Sequence, residues 1–326
     1  MPPVQKPNIP MSRALAAAPT PHPACATVRM KPRGTGAFTI VELLVVIGIL
    51  GVLTSILLPS VGRARQQAYT VQCASNLRTF AQAWLMYADA NQRVSCPARM
   101  PGKGSQTPVF YLGDGTQYRP RWYELLGAVN KIYPCRNPKD IQDDSWTIDN
   151  SLFLCPAVPN WVNSRNYPYG YNYQFLGNAR PKPDGKWINW PVKSDRIRAD
   201  QTVMAADCMG TAAGKPKASR QGYYVEGSHD PYAMGNKGWA LDPPRLTGTS
   251  DYADPERRNP QDRSGPDPRH NGRLNVGFCD GHVELATPRD LGYAVAPDGS
   301  YPVSGGGADN RLFSGTGHDD DPPPVR

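Results

Sequence analysis

One apolar stretch constrains this sequence more than any other feature. Phe38–Leu58, FTIVELLVVIGILGVLTSILL, is 21 residues long, and Glu42 is its one charge. As a helix, a run of this length rises about 30 Å, the thickness of a bilayer's hydrocarbon core. The competing reading is a cleavable secretion signal cut near Ser60-Val61-Gly62. The apolar part of such a signal holds only about 7–15 residues, so this run is long for one. Glu42 argues against it too, because an acid at mid-bilayer costs about 2.5–3.5 kcal/mol. An acid kept at that cost, with no partner nearby in the sequence, marks a functional position. The useful partner is a positive group from another chain, such as an amine freed at Phe38.

A second helical pattern follows Pro59. Val61, Ala64, Ala68, Val71, Ala74, Leu77, Ala81, Trp84 and Ala88 recur at spacings of three and four, with Arg and Gln between them. This predicts an amphipathic helix ending near Asn91, kinked at Pro59 where a backbone donor is missing. Phe38 to Asn91 is 54 residues, about 80 Å if helical throughout.

GAFTIVELLVV followed by Pro59 resembles the processing and assembly segment of type IV prepilins and type II secretion pseudopilins. In that family a prepilin peptidase removes a basic leader and N-methylates the new first residue, usually Phe. A Glu is then fifth and a Pro commonly twenty-second. Counted from Phe38, Glu42 is fifth and Pro59 twenty-second. Ala37 stands where the family usually has Gly, with Gly36 one place earlier. The resemblance implies cleavage and methylation at Ala37 and Phe38, with assembly through Glu42 and Pro59. Its implied partners are the prepilin peptidase, other pilin-like subunits, the assembly machinery and the inner membrane. The implied location is single-pass in that membrane, with the C-terminal domain periplasmic or extracellular.

Charge and composition fit this organisation. The net charge is +8, and residues 1–37 contribute five basic groups and no acid, which leaves +3 for the remainder. Basicity therefore belongs to the N-terminus, and a nucleic-acid partner is not expected. Gly and Pro together number 66, too many for a helical bundle. The organisation expected is a leader over 1–37 (with Met30 as an alternative start), a transmembrane and spine helix over 38–91, an α+β head over 92–304 and a disordered tail over 305–326. In the head, short runs such as Val109–Leu112, Trp122–Leu126, Tyr169–Leu176, Thr202–Ala206 and Leu274–Cys279 read as strands or short helices around a small antiparallel sheet. RLNVGFCDGHVEL, Arg273–Leu285, reads as a hairpin turning at Asp280-Gly281. Residues 242–269 hold six Pro and eleven charges in 28 positions, which predicts a long exposed loop.

His270, nine residues and then Asp280-Gly281 is similar to the H-X9-DG motif of a pilin-like family of unknown function common in Planctomycetes. Cys155-Pro156, YPYGYNYQFLG and the ADQTVMAAD that ends at Asp207 agree with it. A metal reading recruits His270, Asp280 and His282, with Asp207. It ranks below a hydrogen-bonded structural role, because His270 and Asp280 are ten apart without a second close ligand pair. His318 beside Asp319–Asp321 reads as a solvated acidic tail. There is no G-x-S-x-G, H-E-x-x-H or P-loop, and Cys155 has no identifiable His partner in sequence. No catalytic residue, enzyme activity or cofactor is expected. After loss of Cys25 six cysteines remain, and an exported domain makes disulfides possible, with Cys279 and Cys73 as candidate buried thiols. Two rival functions are kept. One is an anchored binding module, for glycans for example, using Trp122, Trp161, Trp187, Trp190 and the tyrosines of 167–173. The other is a metal-dependent hydrolase.

Overall fold

The computed structural model describes residues 39–100, 110–111, 117–118, 120–134, 148–158, 166–177, 179–181, 187–189, 192–223 and 230–325. The chain divides into two compact units, Met1–Ser55 and Ile56–Arg326. In the first unit Thr39 opens a helix. The Thr39 hydroxyl accepts from the Glu42 N–H (3.2 Å), while the Glu42 carboxylate accepts from the Thr39 N–H (2.9 Å) and hydroxyl (2.8 Å). This reciprocal capping box satisfies donors that a helix start leaves unpaired. It corrects the expectation that Glu42 lacks a local partner: the T-x-x-E spacing supplies one.

Helix α1 runs Ile40–Ala90 and contains Pro59. Its residues through Leu58 are all exposed. By length and composition this stretch can cross a membrane, and none of it is buried by the protein. The later part of α1 carries a different face. Cys73, Leu77, Phe80, Ala81, Trp84 and Ala88 are buried, the stripe that a 3.6-residue period places on one side.

The strands that follow are β1 (Phe110–Tyr111), β2 (Gln117–Tyr118), β3 (Tyr169–Tyr171), β4 (Ala179–Pro181), β5 (Trp187–Asn189), β6 (Val203–Gly210), β7 (Gln221–Tyr223), β8 (Ala233–Met234), β9 (Gly265–Pro266), β10 (Leu274–Phe278) and β11 (Val283–Ala286). Two short helices, α2 (Trp122–Val129) and α3 (Tyr173–Leu176), lie among them. The main sheet has the order β11-β10-β6-β3, with β9 also on β6, and all its pairings are antiparallel. The α+β class read from the sequence is therefore the class of the structure. The central strand β6, VMAADCMG, is buried along its whole length, and its near-continuous apolar run reflects that.

The buried face of α1 meets a dense aromatic cluster. Phe80 packs edge-on against Trp122 with ring centroids 5.5 Å apart, and Trp122 stacks on Tyr171 at 5.4 Å. Trp84 Nε1 donates to the Tyr171 hydroxyl (2.9 Å), which donates to the Cys96 carbonyl (2.7 Å). A second apolar cluster gathers Val203, Ala206, Leu274 and Val276 with Leu291, Tyr293 and Phe313.

The Asp280-Gly281 hairpin is present. Leu274 pairs with Ala286 and Gly277 with Val283, and Gly281 has φ +100°. Two other expectations are corrected. Residues 242–269 are not an exposed loop: Asp242, Asp251, Asp254, Asp262, Arg263 and Asp267 are all buried. Their charges are matched within the fold, as in Lys215–Asp262 (2.7 Å) and Arg269–Asp267 (3.1 Å). The Asp242 carboxylate accepts from the Tyr173 hydroxyl (2.6 Å) and the Ser264 N–H (2.8 Å). Pro243, Pro244 and Pro266 are buried and help, because each lacks an N–H that burial would strand. Nor are residues 305–325 disordered. Phe313, Asn310 and Val325 are buried, while Asp319 stays exposed beside His318, as the sequence suggested, and pairs with Arg245 (3.1 Å). The five described cysteines, Cys73, Cys96, Cys155, Cys208 and Cys279, are free and buried, so there is no disulfide among the described residues.

Two glycines separate conformational strain from collision. Gly210 has φ +65°, and a Cβ there would lie 2.0 Å from the Asn236 carbonyl oxygen. At Gly281 the nearest atom to an added Cβ is Leu85 Cδ1, at 3.7 Å. Gly281→Ala is expected to cost about 1–2 kcal/mol, from backbone strain alone. Gly210→Ala is expected to cost more than about 4 kcal/mol, because main chain must move. Urea unfolding of the detergent-solubilised chain distinguishes the two.

Candidate functional site

Four potential ligands converge where α1 meets the sheet. Cys73 on α1, Cys155, Asp207 on β6 and His270 each present one donor atom, and these atoms all lie within 4.8 Å of one another. Each position has a local cause. Cys73 lies on the buried stripe of α1, and Thr70 is one turn before it on the same face. Cys155 follows a 3-10 turn, Ser151–Phe153, capped by the Asn150 side chain. The Asn76 amide grips that turn through the carbonyls of Leu154 (2.9 Å) and Ser151 (3.3 Å). Asp207 pairs with Tyr169 in the register of β6 and β3. His270 begins a tight backbone bridge with Arg273, with N···O distances of 2.9 and 3.1 Å, just ahead of β10.

The site is closed. Relative exposure is 0 % for Cys73, 1 % for Cys155, 0 % for Asp207 and 4 % for His270. His270 Nε2 lies 3.3 Å from Asp207 Oδ2 and 3.8 Å from Cys155 Sγ. His270 Nδ1 lies 3.2 Å from the Thr70 hydroxyl. That hydroxyl already donates to the Gln66 carbonyl (2.9 Å), so it accepts from Nδ1–H. The Nε2 end of the ring is thereby turned toward the two sulfurs and the carboxylate.

Electrostatics separate the two thiols. Burial drives Cys73 well above the usual thiol range, with a hydrogen bond to Cys155 and the charge of Asp207 adding to it. Burial also pushes Cys155 up, but the Cys73 hydrogen bond, the Arg269 charge and the His270 hydrogen bond together bring it down to about 6. For His270, burial lowers the value while Asp207 and Cys155 raise it, to about 9. The site thus favours the neutral thiol at Cys73, the thiolate at Cys155 and the imidazolium at His270. Two chemistries are open to such a set: a thiolate–imidazolium nucleophile, or coordination of a thiophilic cation.

The residues picked out in sequence are distributed unevenly here. His270 and Asp207 belong to the cluster. Asp280, Gly281 and His282 do not. Asp280 Oδ1 accepts from the His282 N–H (3.0 Å) and lies 2.6 Å from its Nδ1. The His282 ring stacks on Phe278 with centroids 4.2 Å apart. The H-X9-DG spacing therefore joins a site residue to a turn. Cys155, expected to have no His partner, has His270. Cys73 was legible only as a buried thiol on the helix stripe. Glu42 and Pro59 lie on α1, while Ala37 and Phe38 lie outside the described residues. No family model, no curated protein and no solved structure matches this chain.

Thr70→Val keeps the side-chain shape but removes the acceptor for His270 Nδ1. A stranded N–H in this closed site is expected to cost about 1–3 kcal/mol, and Thr70→Ser is expected to restore most of it. Denaturant unfolding of the three chains checks this.

Proposed function

We propose that this chain is a prepilin-like structural subunit, cut by a prepilin peptidase between Ala37 and Phe38. It is then assembled through α1 into a type II secretion or type IV pilus-like filament. The observation that carries the reading is the division of labour along one helix. Residues 40–58 of α1 are apolar apart from Glu42, Thr54 and Ser55 and are all exposed, whereas the face from Cys73 to Ala88 is core of the head. An exposed apolar helix needs a non-aqueous surrounding. A bilayer provides it before assembly, and a bundle of like helices provides it afterwards. On this reading the chain is single-pass in the inner membrane, with its head periplasmic or extracellular. Its partners are the peptidase, other pilin-like subunits and the assembly machinery, and it performs no catalysis.

The glycan-binding rival needs a surface of exposed aromatic rings. Trp122, Tyr167, Tyr169, Tyr171 and Tyr173 are instead buried. Trp161 and Trp190 lie outside the described residues, and only the backbone of Trp187 is described.

Mass spectrometry of the membrane-extracted chain is expected to find a mature N-terminus at an N-methylated Phe38. A terminus near Arg63 would mean ordinary signal cleavage and would remove the filament reading.

Glu42 supplies a sharper test, because it also caps α1. Glu42→Gln keeps a capping-box side chain but removes the charge that would pair with a neighbour's N-terminal amine. At about 4 Å and an effective dielectric of about 20, that attraction is about 4 kcal/mol before desolvation, which takes back much of it. Glu42→Gln is expected to insert and be processed normally yet to crosslink poorly into filaments in cells with the assembly machinery. Assembly equal to wild type would confine Glu42 to its capping role.

A further inference from the structure

We propose that Cys73, Cys155, Asp207 and His270 bind a zinc ion as a closed structural site that pins α1 to the sheet. The inference stands apart from the filament reading. Its first support is the donor set. Two thiolates, one imidazole and one carboxylate suit zinc, and they lack the all-oxygen character that calcium or magnesium requires. Its second support is distance. Tetrahedral zinc with sulfur at about 2.3 Å and nitrogen or oxygen at about 2.0 Å has ligand–ligand edges of about 3.3–3.8 Å. The Nε2–Oδ2 and Nε2–Sγ separations, 3.3 and 3.8 Å, already fall there. The widest separation in the cluster, up to 4.8 Å, needs a contraction of about 1 Å.

The surroundings complete the argument. Asp207 Oδ2 accepts from the backbone (2.7 Å) and side-chain (3.3 Å) amides of Asn275. Asp207 Oδ1 is buried with no hydrogen-bond partner among the described residues. A buried carboxylate with one oxygen lacking a donor is costly, and a cation bound at Oδ2, the oxygen that faces His270 Nε2, offsets that cost. Thr70 holds Nδ1–H, which is how a ligating histidine is usually oriented by the group behind it. Arg269 donates to the carbonyls of Pro168 (2.9 Å) and Cys208 (2.7 Å) and pairs with Asp267. It is thereby fixed where it also favours the Cys155 thiolate.

Entry of the ion is balanced by protons. Cys73 loses its thiol proton and His270 its Nε2 proton to solvent. Two thiolates, one carboxylate and one neutral imidazole then face the dication. Four protein ligands close the tetrahedron and leave no position for water or substrate, so the site is structural and the hydrolase reading has no open coordination position.

The test uses the full chain, extracted in detergent without chelator, incubated with zinc and dialysed. Elemental analysis is expected to find about one zinc per chain. Chelation is expected to lower the unfolding midpoint by on the order of 10 °C, because the metal's binding energy is folding energy. Cobalt in place of zinc is expected to give a thiolate-to-metal charge-transfer band with intense tetrahedral visible bands. Since Cys73→Ser is at risk of misfolding, His270→Cys is the second variant. It keeps four ligands and should raise the charge-transfer intensity by about half as a third thiolate joins. A folded wild-type chain that retains no zinc overturns the proposal. So does a cobalt spectrum without the thiolate band, or an intact mass two hydrogens low from a Cys73–Cys155 disulfide.

Discussion

The head depends on one burial: the stripe of α1 from Cys73 to Ala88 laid against the sheet. Phe80 and Trp84 cannot remain in water without giving up about 1.5–3 kcal/mol apiece, and Tyr169 and Tyr171 of the sheet and Trp122 of α2 cover them. Polar groups fix the register of this contact. The Trp84 indole, the Tyr171 hydroxyl and the Cys96 carbonyl form a chain of hydrogen bonds, and Asn76 reaches the turn that carries Cys155. A rotation of α1 would strand these donors in an apolar surrounding, which costs more than the contacts gain in any other arrangement. The four-residue cluster is a consequence. It exists because the same rotation of α1 that buries Trp84 also places Cys73 opposite Asp207.

Much of the head is built without regular secondary structure, and burial there has to be reconciled with charge. Arg263 is fully buried, yet its guanidinium is spread over main-chain carbonyls, those of Pro244 (2.9 Å) and Pro302 (2.8 Å) among them. Asp251 faces Arg258 at 3.4 Å, and Lys237 faces Asp254 at 3.8 Å. Removal of one partner from such a pair leaves a charge in low dielectric, a larger penalty than the pair's own worth. These pairs select one conformation of the irregular segment more than they stabilise it.

The parts of the fold that sequence revealed share a property: their signals are local. The α1 stripe repeats every three or four residues, and Asp280-Gly281 sits between two alternating segments. Even Glu42, whose pairing was not foreseen, has its partner three residues away. What stayed hidden was settled at long range. A run such as DPERRNPQDR looks solvated because nothing in it shows that Lys237 and Lys215 will meet Asp254 and Asp262 inside the fold. The cluster was half legible. His270 and Asp280 stand in one motif and Asp207 ends another matching stretch, but the structure keeps Asp280, with His282, at the turn and out of the cluster. Cys73 and Cys155 are 82 positions apart in the chain, with no ligand-pair spacing to connect them. Only the packing of a helix on a sheet does so.

The join between β6 and the distal segment has a consequence in time. The Val203 N–H donates to the Leu312 carbonyl (2.8 Å), and the Asn172 amide donates to the Phe313 carbonyl (2.9 Å). The central strand is therefore synthesised more than a hundred residues before the chain that completes its far side. A ribosome makes about 5–20 residues per second, so α1 emerges and meets its membrane many seconds before the second apolar cluster can close. The second apolar cluster stays incomplete over that interval. The same order of synthesis leaves the thiols of Cys73 and Cys155 without His270 until that residue, 115 positions after Cys155, is made.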